Sequence, residues 1–268
     1  MTDREPIDDV RAPPSDDHWR QYLEVGEPHL RIGRKVFSAL PSDPRCRICT
    51  APFAGLGGPV MRAMGRQPSR ANPHLCTACE NELVKHHGGA EVAGTMLFAD
   101  IRGSTALAEG RSPREFKDLL ERFYRVASRA VIDHNGAVDK FVGDELVAMF
   151  YPGLSGERHV AAAIEAARQL LRDTGHGGPS EPWAPVGAGV HTGRVWFGAV
   201  GEGTVVELTS LGDVVNTTAR LASAAAAGEI LVSIEAAAAA ELDIGGFERR
   251  SLALKGKEQM FDVIALPA

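Results

Sequence analysis

Two short stretches of the sequence each place an aspartate where it could bind a metal ion. Asp100 follows an apolar run in Phe98-Ala99-Asp100-Ile101-Arg102, and Asp144 ends Lys140-Phe141-Val142-Gly143-Asp144. One aspartate alone is most often a helix cap or a turn residue. Two of them at the ends of neighbouring predicted strands can hold magnesium, which prefers one or two carboxylates together with substrate phosphates. The pair therefore predicts an enzyme site for a nucleoside triphosphate.

The residues after Asp100 could contact the phosphates directly. Gly103, Ser104 and Thr105 form a turn of small residues that leads into a helical segment. Backbone N–H groups exposed at such a turn suit phosphate oxygens. We therefore expect this turn and the aspartate before it to contact the same substrate.

A third polar motif lies late in the chain, in the segment LGDVVNTTARL over 211–221. Asn216 and Arg220 are four residues apart, so they project from one face of a predicted helix. A solvated polar face, or a helix cap in the case of Asn216, would give the same spacing.

The four cysteines form two Cys-x-x-Cys pairs separated by 26 residues, namely Cys46 with Cys49 and Cys76 with Cys79. In a reducing compartment such pairs bind metal more often than they form disulfides. Tetrahedral Zn²⁺ fits four thiolates, and the insert between the pairs is rich in proline and glycine and needs such a staple. A rubredoxin-like iron or an iron–sulfur cluster would use the same ligands.

An alternation of predicted strands and helices begins near Gly94 and would position these motifs. Ser112-Pro113-Arg114-Glu115 is a capping box that starts a helix, and Asn135-Gly136 ends it. The next two strands join through an expected hairpin turn at Val142-Gly143. Further helices are predicted over 160–171 and 214–226, and strands over 95–99, 145–151, 185–191, 195–200, 205–208, 230–233, 248–254 and 260–266. The order βαββαβ with an αβ extension indicates an α+β fold whose sheet is covered by helices on one face.

The first 90 residues have a different character. Apolar spacing predicts a short helix over 18–25 and another over 81–87, whereas prolines and glycines argue against regular structure from 40 to 75. His86-His87-Gly88-Gly89 has the composition of a linker.

Composition narrows the function classes. The chain has 268 residues, 44% of them hydrophobic, so it can bury a core. Its formal net charge of −6 argues against binding to nucleic acid polymers or anionic membranes, because both need a basic face. The polar start Met1-Thr2-Asp3-Arg4-Glu5 does not match a signal peptide, and no apolar stretch approaches the roughly 20 residues of a membrane span. We expect a cytoplasmic protein without a membrane span.

The three motifs together resemble the signature of class III nucleotidyl cyclases, the adenylate and guanylate cyclase catalytic domain. The resemblance rests on FADIRGST, KFVGDELVAMF and LGDVVNTTARL in this order, and it covers the chain from about Gly94 to Leu266. The family fold is a ferredoxin-like α+β core, in agreement with the predicted element order. The resemblance implies an N-terminal extension over 1–45, the four-cysteine module and linker over 46–90, and a cyclase catalytic domain over 91–268.

The resemblance also implies how metal and base are bound. Asp100 and Asp144, with the backbone carbonyl of Ile101, would bind two Mg²⁺ or Mn²⁺ ions per site. Lys140 and Thr209 fall on the positions that contact the purine. A lysine ammonium can only donate a hydrogen bond and a threonine hydroxyl can accept one, which suits N1 and N6 of adenine. Guanine reverses this pattern and favours an acidic acceptor, so we expect ATP rather than GTP as substrate and cyclic AMP as product.

The remaining implied roles concern the ribose and the phosphates. Asn216 would orient the ribose, Arg220 would stabilise charge on the α-phosphoryl group, and Lys255 falls near a phosphate-binding lysine of the family. Many bacterial relatives also carry an arginine shortly before the purine-contacting threonine. This chain has Thr204-Val205-Val206-Glu207 there, and Arg102 is a candidate replacement.

The family builds each active site at a dimer interface, with metal ligands from one protomer and purine and transition-state residues from the other. This chain carries both sets, which implies a homodimer with two complete sites. Two alternatives stay open: a guanylate cyclase, and a metal-stapled sensor or interaction protein whose cyclase domain is degenerate. The presence of all six expected side chains argues against degeneracy.

Overall fold

The structure is a computed structural model that describes residues 16–40, 42, 44–70, 72–86, 88–202, 205–254 and 260–268. Lys255, the predicted phosphate contact, lies outside these residues, and so does Thr204 in the segment that lacks the arginine.

One mixed sheet organises the described residues. Its strands are β1 Gly88–Ile101, β2 Ala137–Val142, β3 Glu145–Phe150, β4 Val186–Glu202, β5 Val205–Leu211, β6 Glu229–Ser233, β7 Glu248–Leu252 and β8 Phe261–Pro267. The strand order is β2-β3-β1-β4-β6-β8-β7, and β5 pairs with β4 beside this path. The β4–β6 pair is parallel and the other pairs are antiparallel. This is the α+β topology that the element order predicts.

The helices of the described residues lie between and before these strands. They are α1 Asp16–Arg20, which continues into a π-helical turn Gln21–Val25, then α2 Pro28–Ser38, α3 Gly57–Ala63, α4 Thr77–Lys85, α5 Ser104–Glu109, α6 Pro113–Asp133, α7 Pro152–Ser155, α8 His159–Asp173, α9 Asp213–Ala224 and α10 Ile234–Ala239. The predicted capping box of α6 is present, because Ser112 accepts a hydrogen bond from the N–H of Glu115 and the Glu115 carboxylate accepts one from the N–H of Ser112. None of the helices in the described ranges has the length and apolar character that crossing a membrane requires.

Both faces of the sheet are covered, so the expectation of helices on one face was wrong. Successive strand residues point to opposite faces. Leu97 of β1 packs with α6, α8 and α10, whereas Met96 and Phe98 pack with α9 and the N-terminal segment. The apolar residues of β1 leave neither face polar, and each therefore needs a covering layer.

Several boundaries also differ from prediction. The strand predicted over 95–99 extends back to Gly88, so the predicted linker contributes its last two glycines to β1. The predicted strands 185–191 and 195–200 form the single strand β4. The β2–β3 hairpin turns at Gly143-Asp144, because Val142 still pairs with Glu145. Helices α2 and α3 were not predicted.

The N-terminal segment is docked onto the second face of the sheet. Trp19, Leu23 and Phe53 belong to the same buried cluster as Met96 and Phe197. The Trp19 indole N–H donates to the carbonyl of His86 at 2.9 Å. The cysteine module and the sheet thus share one hydrophobic core.

Candidate active site

The two predicted metal-binding aspartates come together at one edge of the sheet. Asp100 near the end of β1 lies opposite Glu145 in the antiparallel ladder, and Asp144 is the residue before Glu145. Gly143 has φ of 61°, which lets the hairpin turn tightly. The hydroxyl of Tyr124 donates to the carbonyl of Gly143 and fixes the turn against α6.

The electrostatics of this pair suit a cation. Burial, together with the contact with Asp144, raises the pKa of Asp100 to about 7. Two carboxylates held this close resist ionising together, and a bound cation removes that penalty. The donor set therefore fits Mg²⁺ or Mn²⁺, and Asp100 and Asp144 are the side chains that would hold it.

Arg102 is occupied in this arrangement. Its guanidinium forms an ion pair with Asp100 and donates to the carbonyl of Ser223 at 2.9 Å. Arg102 therefore links Asp100 to the end of α9. Its guanidinium is engaged in these contacts and is not free to replace the missing phosphate-binding arginine.

The turn after Asp100 has the form expected of a phosphate contact. Gly103 adopts φ of 66° and precedes the first turn of α5, which begins at Ser104. Gly103 and Thr105 are exposed and Ser104 is half-buried. The first N–H groups of a helix have no partner within the helix. The geometry leaves this turn open to solvent beside the two carboxylates.

The predicted purine contacts also meet. The Lys140 ammonium on β2 donates to the Thr209 hydroxyl on β5 at 3.2 Å. Lys140 is four residues before Asp144, so the two sites are separated by at most roughly 13 Å along the hairpin. One hairpin thus carries both a predicted purine contact and a predicted metal ligand.

Asn216 and Arg220 lie on the outer side of α9. Val214, Thr217, Thr218 and Leu221 are buried on the inner side of this helix. Asn216 is exposed and Arg220 half-buried, and neither side chain has a hydrogen-bond partner among the described residues. Both are available to a ligand or a partner chain.

The four cysteines form a compact buried cluster. All four sulfur atoms lie within 4.8 Å of one another, and Sγ of Cys49 and Sγ of Cys76 are 3.7 Å apart. Tetrahedral zinc with Zn–S bonds of about 2.3 Å places its sulfurs roughly 3.8 Å apart. Contact with the other thiols lowers the pKa of Cys76 and raises that of Cys79, and burial raises the pKa of Cys46, so a bound cation is what would let all four ionise together.

Two residues of this region carry no motif and were not predicted. Asp139, beside Lys140, is buried and accepts a hydrogen bond from the Ser210 hydroxyl at 3.3 Å. Arg47, between the first two cysteines, donates to the backbone carbonyl of Asp139 at 2.9 Å. An acidic residue directly before Lys140 was the one available signal, and nothing in the sequence indicated the contact with Arg47.

Comparison with known proteins agrees with the fold. The family model described as the adenylate and guanylate cyclase catalytic domain matches residues 90–265. The chain therefore belongs to this family. The crystal structure of the guanylyl cyclase Cya2 matches 66% of this chain and 93% of its own with TM-score 0.59 and 26% identity. That of the adenylyl cyclase CyaB from P. aeruginosa matches 67% and 96% with TM-score 0.55 and 28% identity.

Two curated relatives place the chain among bacterial proteins of greater length. An adenylate cyclase of Anabaena cylindrica is 33% identical over 133 residues, which are 47% of this chain and 26% of the relative. The uncharacterized protein Rv1318c of Mycobacterium tuberculosis is 34% identical over 226 residues, which are 81% of this chain and 39% of the relative. The second match covers more of the chain than the family model and so reaches into the cysteine module. The chain spans about a quarter to two fifths of these relatives.

Proposed function

We propose that the protein is an adenylate cyclase that converts ATP to 3′,5′-cyclic AMP and pyrophosphate. The observation that carries this proposal is the hydrogen bond from Lys140 to Thr209. The ammonium keeps an N–H donor for adenine N1, and the hydroxyl oxygen keeps a lone pair for the N6 amino group. No carboxylate in this pair is available to accept from guanine N1.

The residues of the chain divide the work of the reaction. The turn of Gly103, Ser104 and Thr105 binds phosphate oxygens through its N–H groups. Asn216 orients the ribose so that its 3′-oxygen lies in line with the α-phosphorus and the departing pyrophosphate. Arg220 donates to the α-phosphoryl oxygens as their charge grows, and such electrostatic help contributes about 3 kcal/mol.

Metal ions complete the site. Asp100, Asp144 and the carbonyl of Ile101 would hold two Mg²⁺ or Mn²⁺ ions, which when bound neutralise the triphosphate and lower the pKa of the ribose 3′-hydroxyl. The raised pKa of Asp100 supports a cation here, since the two carboxylates disfavour each other's ionisation.

We further propose that the active unit is a homodimer with two shared sites. Asn216 and Arg220 face outward on α9 without partners among the described residues. One chain would supply the aspartates and the other would supply Lys140, Thr209, Asn216 and Arg220. The cysteine cluster would hold a structural Zn²⁺, for which its sulfur spacing is suited.

A product assay tests the function. The purified protein is incubated with Mn²⁺ and either ATP or GTP, and the cyclic nucleotide is quantified by chromatography. We expect cyclic AMP, and we expect its formation to be abolished in Asp100→Asn but retained in Asp118→Asn, a control on the exposed side of α6. Preferential formation of cyclic GMP would favour the guanylate cyclase alternative. Absence of either product would leave a sensor or interaction protein with a cyclase fold.

A further inference from the structure

We propose that Asp139 and Arg47 are positioning residues of the purine site, and that the cysteine module determines the position of Lys140 through them. This inference rests on the proposed function, because it concerns the residue that would contact adenine. It assigns the module a part in nucleotide binding beyond the stabilisation of its own fold.

Strand β2 contains a β-bulge at Asp139. Val138 pairs with Ala148 of β3 and Lys140 pairs with Val147, so Asp139 has no partner in the ladder. A bulge turns a side chain away from the face that regular alternation would give it. Here it allows two consecutive residues of β2 to contact consecutive residues of β5, Asp139 with Ser210 and Lys140 with Thr209.

The carboxylate of Asp139 is buried beside the ammonium of Lys140. Its side chain is 2% exposed, and Oδ1 lies 3.8 Å from Nζ of Lys140. Oδ2 accepts from Ser210, whereas Oδ1 has no hydrogen-bond partner among the described residues. A buried carboxylate without a full set of partners is costly, so it attracts the adjacent ammonium strongly.

The geometry therefore assigns each donor of the Lys140 ammonium. One N–H donates to Thr209, a second is attracted by Asp139, and the third is left for an acceptor on the base. A flexible lysine held from two sides loses less conformational entropy when it binds. Asp139 thus prepares Lys140 for the purine without touching it.

Arg47 connects Asp139 to the cysteine module. The guanidinium of Arg47 donates to the Asp139 carbonyl at 2.9 Å, and its positive charge lies near the Asp139 carboxylate. Arg47 is held in turn by its own N–H, which donates to the carbonyl of His74 at 3.0 Å. Arg47 therefore connects the bulge of β2 directly to the segment from Cys46 to Cys49.

The contact of Arg47 with β2 should depend on metal binding by the cysteines. Arg47 lies between Cys46 and Cys49, so the conformation of its backbone depends on where those two sulfurs are held. A metal that joins all four thiolates fixes the segment from Cys46 to Cys49, and it thereby fixes the Arg47 guanidinium that contacts β2. Loss of the metal would release the bulge and weaken the hold on Lys140.

A binding experiment separates this positioning role from a general structural one. The affinity of the full chain for 3′-deoxy-ATP, which lacks the attacking hydroxyl, and for inorganic tripolyphosphate is measured by calorimetry. Asp139→Asn and Arg47→Ala are compared with the wild type. Arg62→Ala is the matched control, because Arg62 is an exposed arginine of α3 in the same module.

We expect Asp139→Asn and Arg47→Ala each to weaken 3′-deoxy-ATP binding about tenfold, as for loss of one charged contact. Tripolyphosphate affinity should be unchanged, because it has no base, and Arg62→Ala should bind both ligands like the wild type. Equal weakening of both ligands, or no weakening of 3′-deoxy-ATP, would overturn the positioning role. A wild type that binds the analogue but forms no cyclic nucleotide would instead contradict the proposed function.

The coupling to the metal has its own readout. Treatment of the wild type with a zinc chelator should weaken 3′-deoxy-ATP binding about as much as Arg47→Ala does. The same treatment of Arg47→Ala should cause little further weakening, because the connection is already cut. If the chelator weakens binding equally in both proteins, the module does not act through Arg47.

Discussion

The ammonium of Lys140 donates a hydrogen bond to the hydroxyl of Thr209 at 3.2 Å, and it thereby joins β2 to β5 across 69 positions of sequence. Neither residue belongs to the pair of aspartates, yet Lys140 shares a hairpin with Asp144. The predicted purine contact is therefore tied by covalent structure to one of the two predicted metal ligands.

Replacement of Lys140 should affect nucleotide binding more than turnover. We expect Lys140→Ala to raise KM for ATP roughly 10- to 100-fold, because a hydrogen bond from a charged group contributes about 1.5–3 kcal/mol. Steady-state kinetics with the two variants Lys140→Ala and Lys117→Ala provide the check. Lys117 is an exposed lysine of α6 paired with Glu121, and its loss should leave KM unchanged. An unchanged KM in Lys140→Ala would contradict its contact with the base.

Shared sites predict complementation between two inactive variants. Asp100→Ala lacks a metal ligand and Arg220→Ala lacks the transition-state contact, so each alone should be inactive. An equal mixture that exchanges subunits should recover about a quarter of wild-type activity, because half of the dimers are mixed and each has one intact site. Cyclic AMP formation after mixing measures this. Failure to recover activity, when subunit exchange is verified with labelled chains, would argue that each chain uses its own residues.

Asp139 predicts a pH dependence of stability. Burial raises its pKa to about 6, against the attraction of Lys140 and Arg47 and the hydrogen bond from Ser210, while Glu207 adds to the rise. The folded state then binds the proton more tightly than the unfolded state, so this group lowers stability as pH rises from about 4 to about 6. The full loss of unfolding free energy from this group is about 3 kcal/mol.

Asp139→Asn should remove this slope. We expect the unfolding free energy of the variant to exceed that of the wild type by a margin that grows between pH 4 and pH 6 and then levels off. Urea denaturation at several pH values gives the difference directly, because the other titrating groups contribute equally to both proteins. A margin that stays constant over this range would mean that Asp139 titrates normally.

The cysteine cluster predicts one metal ion per chain. Elemental analysis should find zinc, and the pure protein should be colourless, whereas iron would give visible absorption. Cys79→Ser should lose the metal and lower the unfolding free energy by at least about 3 kcal/mol, since metal binding energy contributes to folding. Thr77→Ser, a neighbouring change outside the ligand set, should keep both. A metal-free wild type of unchanged stability after chelation would refute the site.

Elements with strong local signals could be predicted from sequence, and α6 is the example. Its capping box and its helical spacing of apolar residues are both encoded within a few turns. The regions that were missed depend on tertiary packing. Gly57 and Gly58 begin α3, where side chains would collide with Pro52 and with the backbone of Phe53. These glycines suggest a loop in the sequence, but they are present because Pro52 and the backbone of Phe53 pack closely against the start of α3.

The same reason explains why β4 was predicted as two strands. Gly193 interrupts its apolar pattern, yet a side chain at this position would come within 2.8 Å of Val214 of α9. A glycine inside a strand often marks such a close approach. In the candidate site, the motif residues were predicted by resemblance, whereas Asp139 and Arg47 were missed because a bulge and a docked module leave no periodic signal.

The ladder around Asp139 has a consequence for chain length. Because Val138 and Lys140 already face consecutive residues of β3, deletion of Asp139 would leave every pair of that ladder in place. The pairing of β2 with β3 therefore does not require this residue, and the contacts of Asp139 are with Ser210, Lys140 and Arg47. A cyclase domain shorter by one residue at this point would keep its ladder and its lysine, and would lack both the Asp139 carbonyl to which Arg47 donates and the carboxylate beside Lys140.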